Sequence, residues 1–112
     1  MLNLELYIYN MYNIFIGSLR FEWDDHKNAE NIRKHSVSFE EAVSVFSDDH
    51  ALESFDPDHG KDEERFLLVG ISSHLKVVIV CYCHRRKGSV IRIISARKAN
   101  KREEKDYWEI RR

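Results

Sequence analysis

No stretch of this 112-residue chain approaches the roughly 18 consecutive apolar residues that a bilayer-crossing helix requires. Charged or strongly polar residues interrupt every long apolar run after Arg20. The opening segment, MLNLELYIYNMYNIFIGS, is apolar and aromatic but lacks the basic start and small-residue cleavage site of a secretory signal. No export is expected, and the cytoplasm is the expected compartment. Cysteine is scarce: Cys81 and Cys83 are two apart inside an apolar run, where strand alternation turns both to one face and disfavours a bond between them. They form no disulfide framework and read as buried inert thiols. CYCH offers half a zinc site with no second ligand pair at a suitable spacing, so neither a metal nor another cofactor is expected. Internal repeats, a glycine-rich phosphate loop and low-complexity tracts are also missing.

What is there fits one compact core. Hydrophobic residues make up 43% of the chain, and its length leaves no room for a second domain. The expected division is an extension over residues 1–18 and a single domain over 19–112. Net charge is only −1, yet it is polarised: residues 1–64 hold 5 basic and 15 acidic side chains (−10), and residues 65–112 hold 13 and 4 (+9). Two readings stand. Either the basic half forms an anion-binding face, or the two halves pair across the fold.

Leu19 to Trp23 reads as a strand, followed by a helix from about His26 to Lys34 that Asp24 or Asp25 caps and that places Ala29 and Ile32 on one side. It should stop near His35-Ser36. Ser38 and Glu41 have capping-box spacing, and Phe39, Ala42, Val43 and Phe46 then recur at helical intervals. ALESFD reads as an edge strand, closed by Asp56-Pro57-Asp58 and the loop HGKDEE. Three β-branched strands follow, at Arg65 to Ser72, Lys76 to Cys83 and Ser89 to Ala96, as an antiparallel meander. Asn100 and Glu103 form a second possible capping box on a closing helix that Tyr107 and Trp108 anchor to the sheet. The expected fold is α+β: two N-terminal helices, an antiparallel twisted sheet of about four strands, and a C-terminal helix, with the helices on one sheet face.

FEWDDHKNAENIRKHSVSFEEAVSVF, DEERFLLVG and VIRIISARKANKREE follow one another with intact spacing. Together they resemble the BrnT family of toxins, and the combination of FEWD, KH-x-V-x-F-x-E-A, ERF and RIISARKA is far more specific than any one piece. The resemblance covers about Phe21 to Trp108. It implies a fold akin to RelE-type ribonucleases, cleavage of cellular RNA, and neutralisation by a BrnA-like antitoxin that contacts operator DNA itself. The implied complex is a heterotetramer of two toxins with an antitoxin dimer. Family members begin only a few residues before FEWD, so the first eighteen residues read either as an upstream misread start or as an added strand.

A metal-independent ribonuclease needs a base for the ribose 2′-hydroxyl, cations for the charge at phosphorus, and an acid for the leaving 5′-oxygen. Arg97 and Arg65 are the phosphate candidates, since guanidinium suits bidentate phosphate binding. His35 and Glu64 are the acid and base candidates. Each has a bland alternative: His35 as a residue held by the helix dipole, and Glu64 as an ion-pair partner of Arg65 or Arg97. Lys27, Arg92, Lys98 and Tyr107 are candidate RNA contacts, against readings as solvated charges or, for Tyr107, packing. By alternation Arg92 and Arg97 lie on opposite faces, so one ligand meets both only if the strand ends or bulges near Ala96. Trp23 reads as core, and the remaining histidines as solvated. A different class of function is a non-catalytic module that binds a DNA-binding protein or the ribosome through the acidic half. A membrane-active toxin working through the apolar start is a third, disfavoured by the lack of basic residues there.

Overall fold

The computed structural model describes residues 19–57 and 64–111, together with the backbone of 11–16. Six strands form one sheet in the order β1-β2-β6-β5-β4-β3: β1 (Met11–Ile16), β2 (Leu19–Asp24), β3 (Leu52–Phe55), β4 (Phe66–Ile71), β5 (Val77–Arg85) and β6 (Val90–Lys98). Strands β3 to β6 are the expected antiparallel meander, with β3 at the edge. The sheet is nevertheless mixed and larger than the four strands expected. β2 lies parallel to β6, and β1 pairs antiparallel with β2, so the added-strand reading describes residues 11–16. Pairing between strands 70 residues apart leaves no trace in local periodicity. The polar loop after Pro57 lies largely outside the described residues.

Two helices precede the meander, α1 (Asp25–His35) and α2 (Phe39–Ser44), and a third, α3 (Lys101–Arg111), closes the chain. Asp24 caps α1 by accepting the His26 and Lys27 amides, and Ser36 ends it in a left-handed conformation at φ 56°. Contrary to the amphipathic reading, Ala29 is exposed and Ile32 is 45% exposed. α1 is held instead by a polar anchor. Buried Asn31 donates to the Val37 and Ala96 carbonyls, both at 2.8 Å, and accepts the Ala96 amide at 3.1 Å. It therefore satisfies β6 backbone groups where that strand runs on past its pairing with β2. Asn28 takes the Phe39 amide and so fixes the entry to α2. Only half of the first capping box forms: the Ser38 hydroxyl accepts the Glu41 amide, but the buried Glu41 carboxylate turns to the Ser72 hydroxyl and to His74 at 3.2 Å. The second box closes fully, with Asn100 and Glu103 accepting each other's amides.

The core lies between α2 and one sheet face. Phe21 and Trp23 on β2, Val78, Val80 and Tyr82 on β5, and Ile91, Ile93 and Ala96 on β6 meet Phe39, Ala42 and Val43. Phe46 wedges edge-on between Phe21 and Tyr82 at centroid distances of 4.9 and 5.0 Å. Trp23 is 2% exposed, as its core reading requires. No helix among the described residues is long and apolar enough to cross a membrane.

Asp48 ties α3 to the rest of the domain, accepting the Ile71 amide at 2.8 Å and the Tyr107 hydroxyl at 2.5 Å. Burial raises this carboxyl, but hydrogen bonds from Tyr107 and from the Ile71 and His50 amides outweigh burial and hold it below its ordinary 3.8. A depressed folded value means that the contribution is complete above the unfolded value and is lost as pH falls through the folded one. Acid titration of stability should therefore show a loss starting below about pH 4 that Asp48→Asn lacks. Parallel acid limbs for the two proteins would refute this role.

Candidate functional site

On the sheet face turned away from the core, an irregularity in β6 decides which side chains meet. Cys81 opposes Ser95 while Tyr82 opposes Ile93, so Ile94 has no opposing residue. This bulge shifts the alternation by one. Ile91, Ile93 and Ala96 all reach the core, and Arg92, Ser95 and Arg97 consequently share the second face. The condition under which the sequence allowed both arginines to meet one ligand is thus satisfied, two residues earlier than expected.

Cross-strand register lines this face in rows. Arg92 sits between Glu22 on β2 and Cys83 on β5. Continuing the Phe66–Tyr82 register by one residue sets Arg65 on the far side of Cys83, and Asp56 beside Arg65, whose carbonyl accepts the Asp56 amide at 2.9 Å. The row therefore reads Glu22, Arg92, Cys83, Arg65, Asp56. Neighbouring strands are about 4.8 Å apart, which places the two arginine backbones roughly 10 Å apart around Cys83. Arg92 Nη1 lies 3.9 Å from Glu22 Oε1, and the Asp56 carboxylate lies 3.5 Å from the Cys81 sulfur. Burial and then Asp56 push the Cys81 thiol up to about 11, so it is a protonated packing group rather than a nucleophile.

Arg97 stands four β5 residues farther along, opposite Ile79, about 13 Å from the Arg92 row by strand rise. Nη1 and Nη2 grip Glu103 at 2.8 and 2.9 Å, and Nη1 also approaches the Lys98 carbonyl at 3.4 Å. Those hydrogen bonds hold the Glu103 carboxyl down at about 2, although burial opposes them. Glu103 takes this guanidinium end-on, and among the described residues Nε makes no hydrogen bond, so the side-on edge of Nε–H and the second Nη2–H stays available to an anion. Beside it a groove of about 220 Å³ runs between α3 and the sheet, lined by Leu67, Val69, Ile79 and Ile110.

His35 is exposed at the last turn of α1, and among the described residues no hydrogen bond or ion pair joins it to these arginines. It does lie four residues beyond Asn31, hence on the same helix side, one turn past the contact with Ala96, the residue before Arg97. Glu64 is exposed, directly before Arg65. Lys27 is exposed in the first turn of α1 and Lys98 at the end of β6. Tyr107 corrects the list of RNA contacts: it is 1% exposed with its hydroxyl on Asp48, so no base reaches its ring. Trp108, expected to anchor the helix, is instead 43% exposed beneath the Arg111 guanidinium. The remaining described histidines, His26, His50, His74 and His84, are exposed as expected, but His74 pairs with Glu41, and His84 contacts Phe66 and Tyr82 edge-on. His59 lies outside the described residues.

Two further arginines escaped the sequence reading. Arg20 opposes Val90 and Val90 opposes Arg85, one row beyond Arg92 on the same face. The sequence signal for Arg85 was its parity with Cys83, while Arg20 gave none until β2 was known to join β6. Glu22–Arg92 joins the acidic and basic halves, while Arg65, Arg85, Arg92 and Arg97 of the basic half share one face.

No curated protein matches the chain significantly in sequence. Among solved structures, it is similar to the crystal structure of the Brucella abortus ribonuclease toxin BrnT, with a TM-score of 0.51 and 23% identity over 70% of this chain and 94% of that one. That likeness supports the α+β fold. The profile of the family described as ribonuclease toxin, BrnT, of type II toxin-antitoxin systems matches residues 23–103, most of the chain. The protein accordingly belongs to the BrnT family of ribonuclease toxins.

Proposed function

We propose that the protein is a metal-independent endoribonuclease that cuts cellular RNA in the cytoplasm and is silenced by a cognate BrnA-like antitoxin. The observation that carries this reading is the β6 bulge, which turns Arg92 and Arg97 to one face beside Arg65. At about 13 Å apart, the two ends of that face address different phosphates of one strand. Arg97, oriented by Glu103, offers its Nε–Nη2 edge to the scissile phosphate, where fixed positive charge favours the more highly charged transition state. Arg65 and Arg92 hold a neighbouring phosphate, and Lys27 and Lys98 contribute long-range attraction.

Proton transfer falls to His35, at the end of the helix that Asn31 anchors to Ala96, with Glu64 as the second candidate. The 2′-hydroxyl loses its proton to the base and its oxygen bonds to phosphorus. The bond from phosphorus to the 5′-oxygen breaks, and that oxygen receives a proton from the acid. The products are a 2′,3′-cyclic phosphate and a free 5′-hydroxyl. The antitoxin is proposed to cover the basic face in a complex of two toxins with an antitoxin dimer, and operator DNA is contacted only through the antitoxin.

The test is incubation of purified, antitoxin-free protein with a defined RNA in EDTA. Cleavage is expected. RNA left intact, while an unrelated metal-independent ribonuclease cuts it under the same conditions, sinks the proposal and shifts weight to a non-catalytic binding module.

A further inference from the structure

We infer that Arg20, with Arg85 opposite, forms a second phosphate subsite for the RNA backbone, one row beyond Arg92. The inference rests on the ribonuclease reading and extends it to a residue outside the family-matched segment 23–103. Phe21 and Trp23 point into the core, so Arg20 and Glu22 point to the second face. Register sets Val90 between Arg20 and Arg85, and Val90, 2% exposed, gives the two cations an apolar floor. Two strand spacings separate their backbones by roughly 10 Å, a gap that two arginine side chains can close on one anion.

The decisive observation is the state of the Arg20 guanidinium. Its Nε and Nη2 atoms are both buried and, among the described residues, have no hydrogen-bond partner. Charged donors removed from water without an acceptor carry an uncompensated cost, and folded proteins seldom leave them so. These two atoms form the side-on edge that matches two oxygens of one phosphate. Arg20 as a whole is only partly buried, so rotation of its flexible stem presents that edge at the surface. A strand carrying phosphates at regular intervals suits the succession along this face of Arg20 with Arg85, then Arg92 with Arg65, then Arg97. An acidic peptide has no such regularity.

The test uses the full chain and an oligoribonucleotide with 2′-O-methyl groups, which lacks the attacking hydroxyl and is not cut. Affinity is measured across a salt series for wild type, Arg20→Met and Arg20→Lys. Arg20→Met should bind about tenfold more weakly, with the salt slope reduced by roughly 0.7–1 for the lost phosphate contact. Arg20→Lys should keep the slope but lose affinity, because the charge remains and the fork does not. The thermal midpoint of free Arg20→Met should equal or exceed that of wild type, since no hydrogen bond is lost. Wild-type affinity and slope in Arg20→Met would overturn the subsite, as would a lowered midpoint with unchanged affinity, which assigns Arg20 to the fold. If only binding of an acidic peptide responds to the substitution, the RNA assignment is overturned. Wild-type protein that binds no RNA at all overturns the ribonuclease reading itself, a distinguishable failure.

Discussion

Replacing Arg97 with alanine is expected to lower the cleavage rate by about 10²–10³-fold, the usual cost of removing one fixed donor from a developing oxyanion. Arg97→Lys should recover only part of this, because an ammonium keeps the charge and loses the planar fork. Stability should change little. The Arg97–Glu103 pair is partly exposed, with side-chain exposures of 45% and 31%, and such pairs contribute about 0–1 kcal/mol. Parallel measurement of cleavage rate and urea midpoint separates the two effects. An alanine variant that cleaves at the wild-type rate would remove Arg97 from the chemistry, whatever its midpoint.

Asn31→Ala should have the largest effect on folding. Its side chain makes three buried hydrogen bonds to backbone groups at Val37 and Ala96. Deleting it strands two carbonyls and an amide, at an expected cost of about 3–4.5 kcal/mol from roughly 1–1.5 kcal/mol for each. Asn31→Asp should fare no better, since it keeps the acceptor for the Ala96 amide but buries a charge facing two carbonyls. If His35 is the proposed proton carrier, cleavage should fall as well under conditions where the variant remains folded, because α1, which carries it, loses its anchor on β6. Denaturant unfolding of Asn31→Ala at the wild-type midpoint would contradict the anchoring role.

The parts of the fold that were legible in the sequence are those governed by local chemistry. Asp24 and Ser38 cap helices because their short side chains reach backbone amides two or three residues on, and β-branched runs made β4, β5 and β6 plain. The parallel pairing of β2 with β6 was not legible, because it depends on which distant strand presents a matching edge. The anchoring of α1 was hidden for a related reason. Asn31 looks like an ordinary polar helix residue until the unpaired stretch of β6 beside it is known. For the site, the need for a bulge was apparent from the parity of Arg92 and Arg97, but its location at Ile94 is set by packing of Ile93 and Ala96 on the core. Tyr107 shows the converse: beside a basic segment it read as an RNA contact, and the distant Asp48 claims its hydroxyl.

The most direct test of the central claim is chemical identification of the ends that the wild-type protein leaves on a defined RNA in EDTA. Transfer of the 2′-oxygen to phosphorus by arginine, acid and base predicts a 2′,3′-cyclic phosphate on one fragment and a 5′-hydroxyl on the other. Fragments bearing a 5′-phosphate and a 3′-hydroxyl, or cleavage that appears only when a divalent metal is restored, would contradict it.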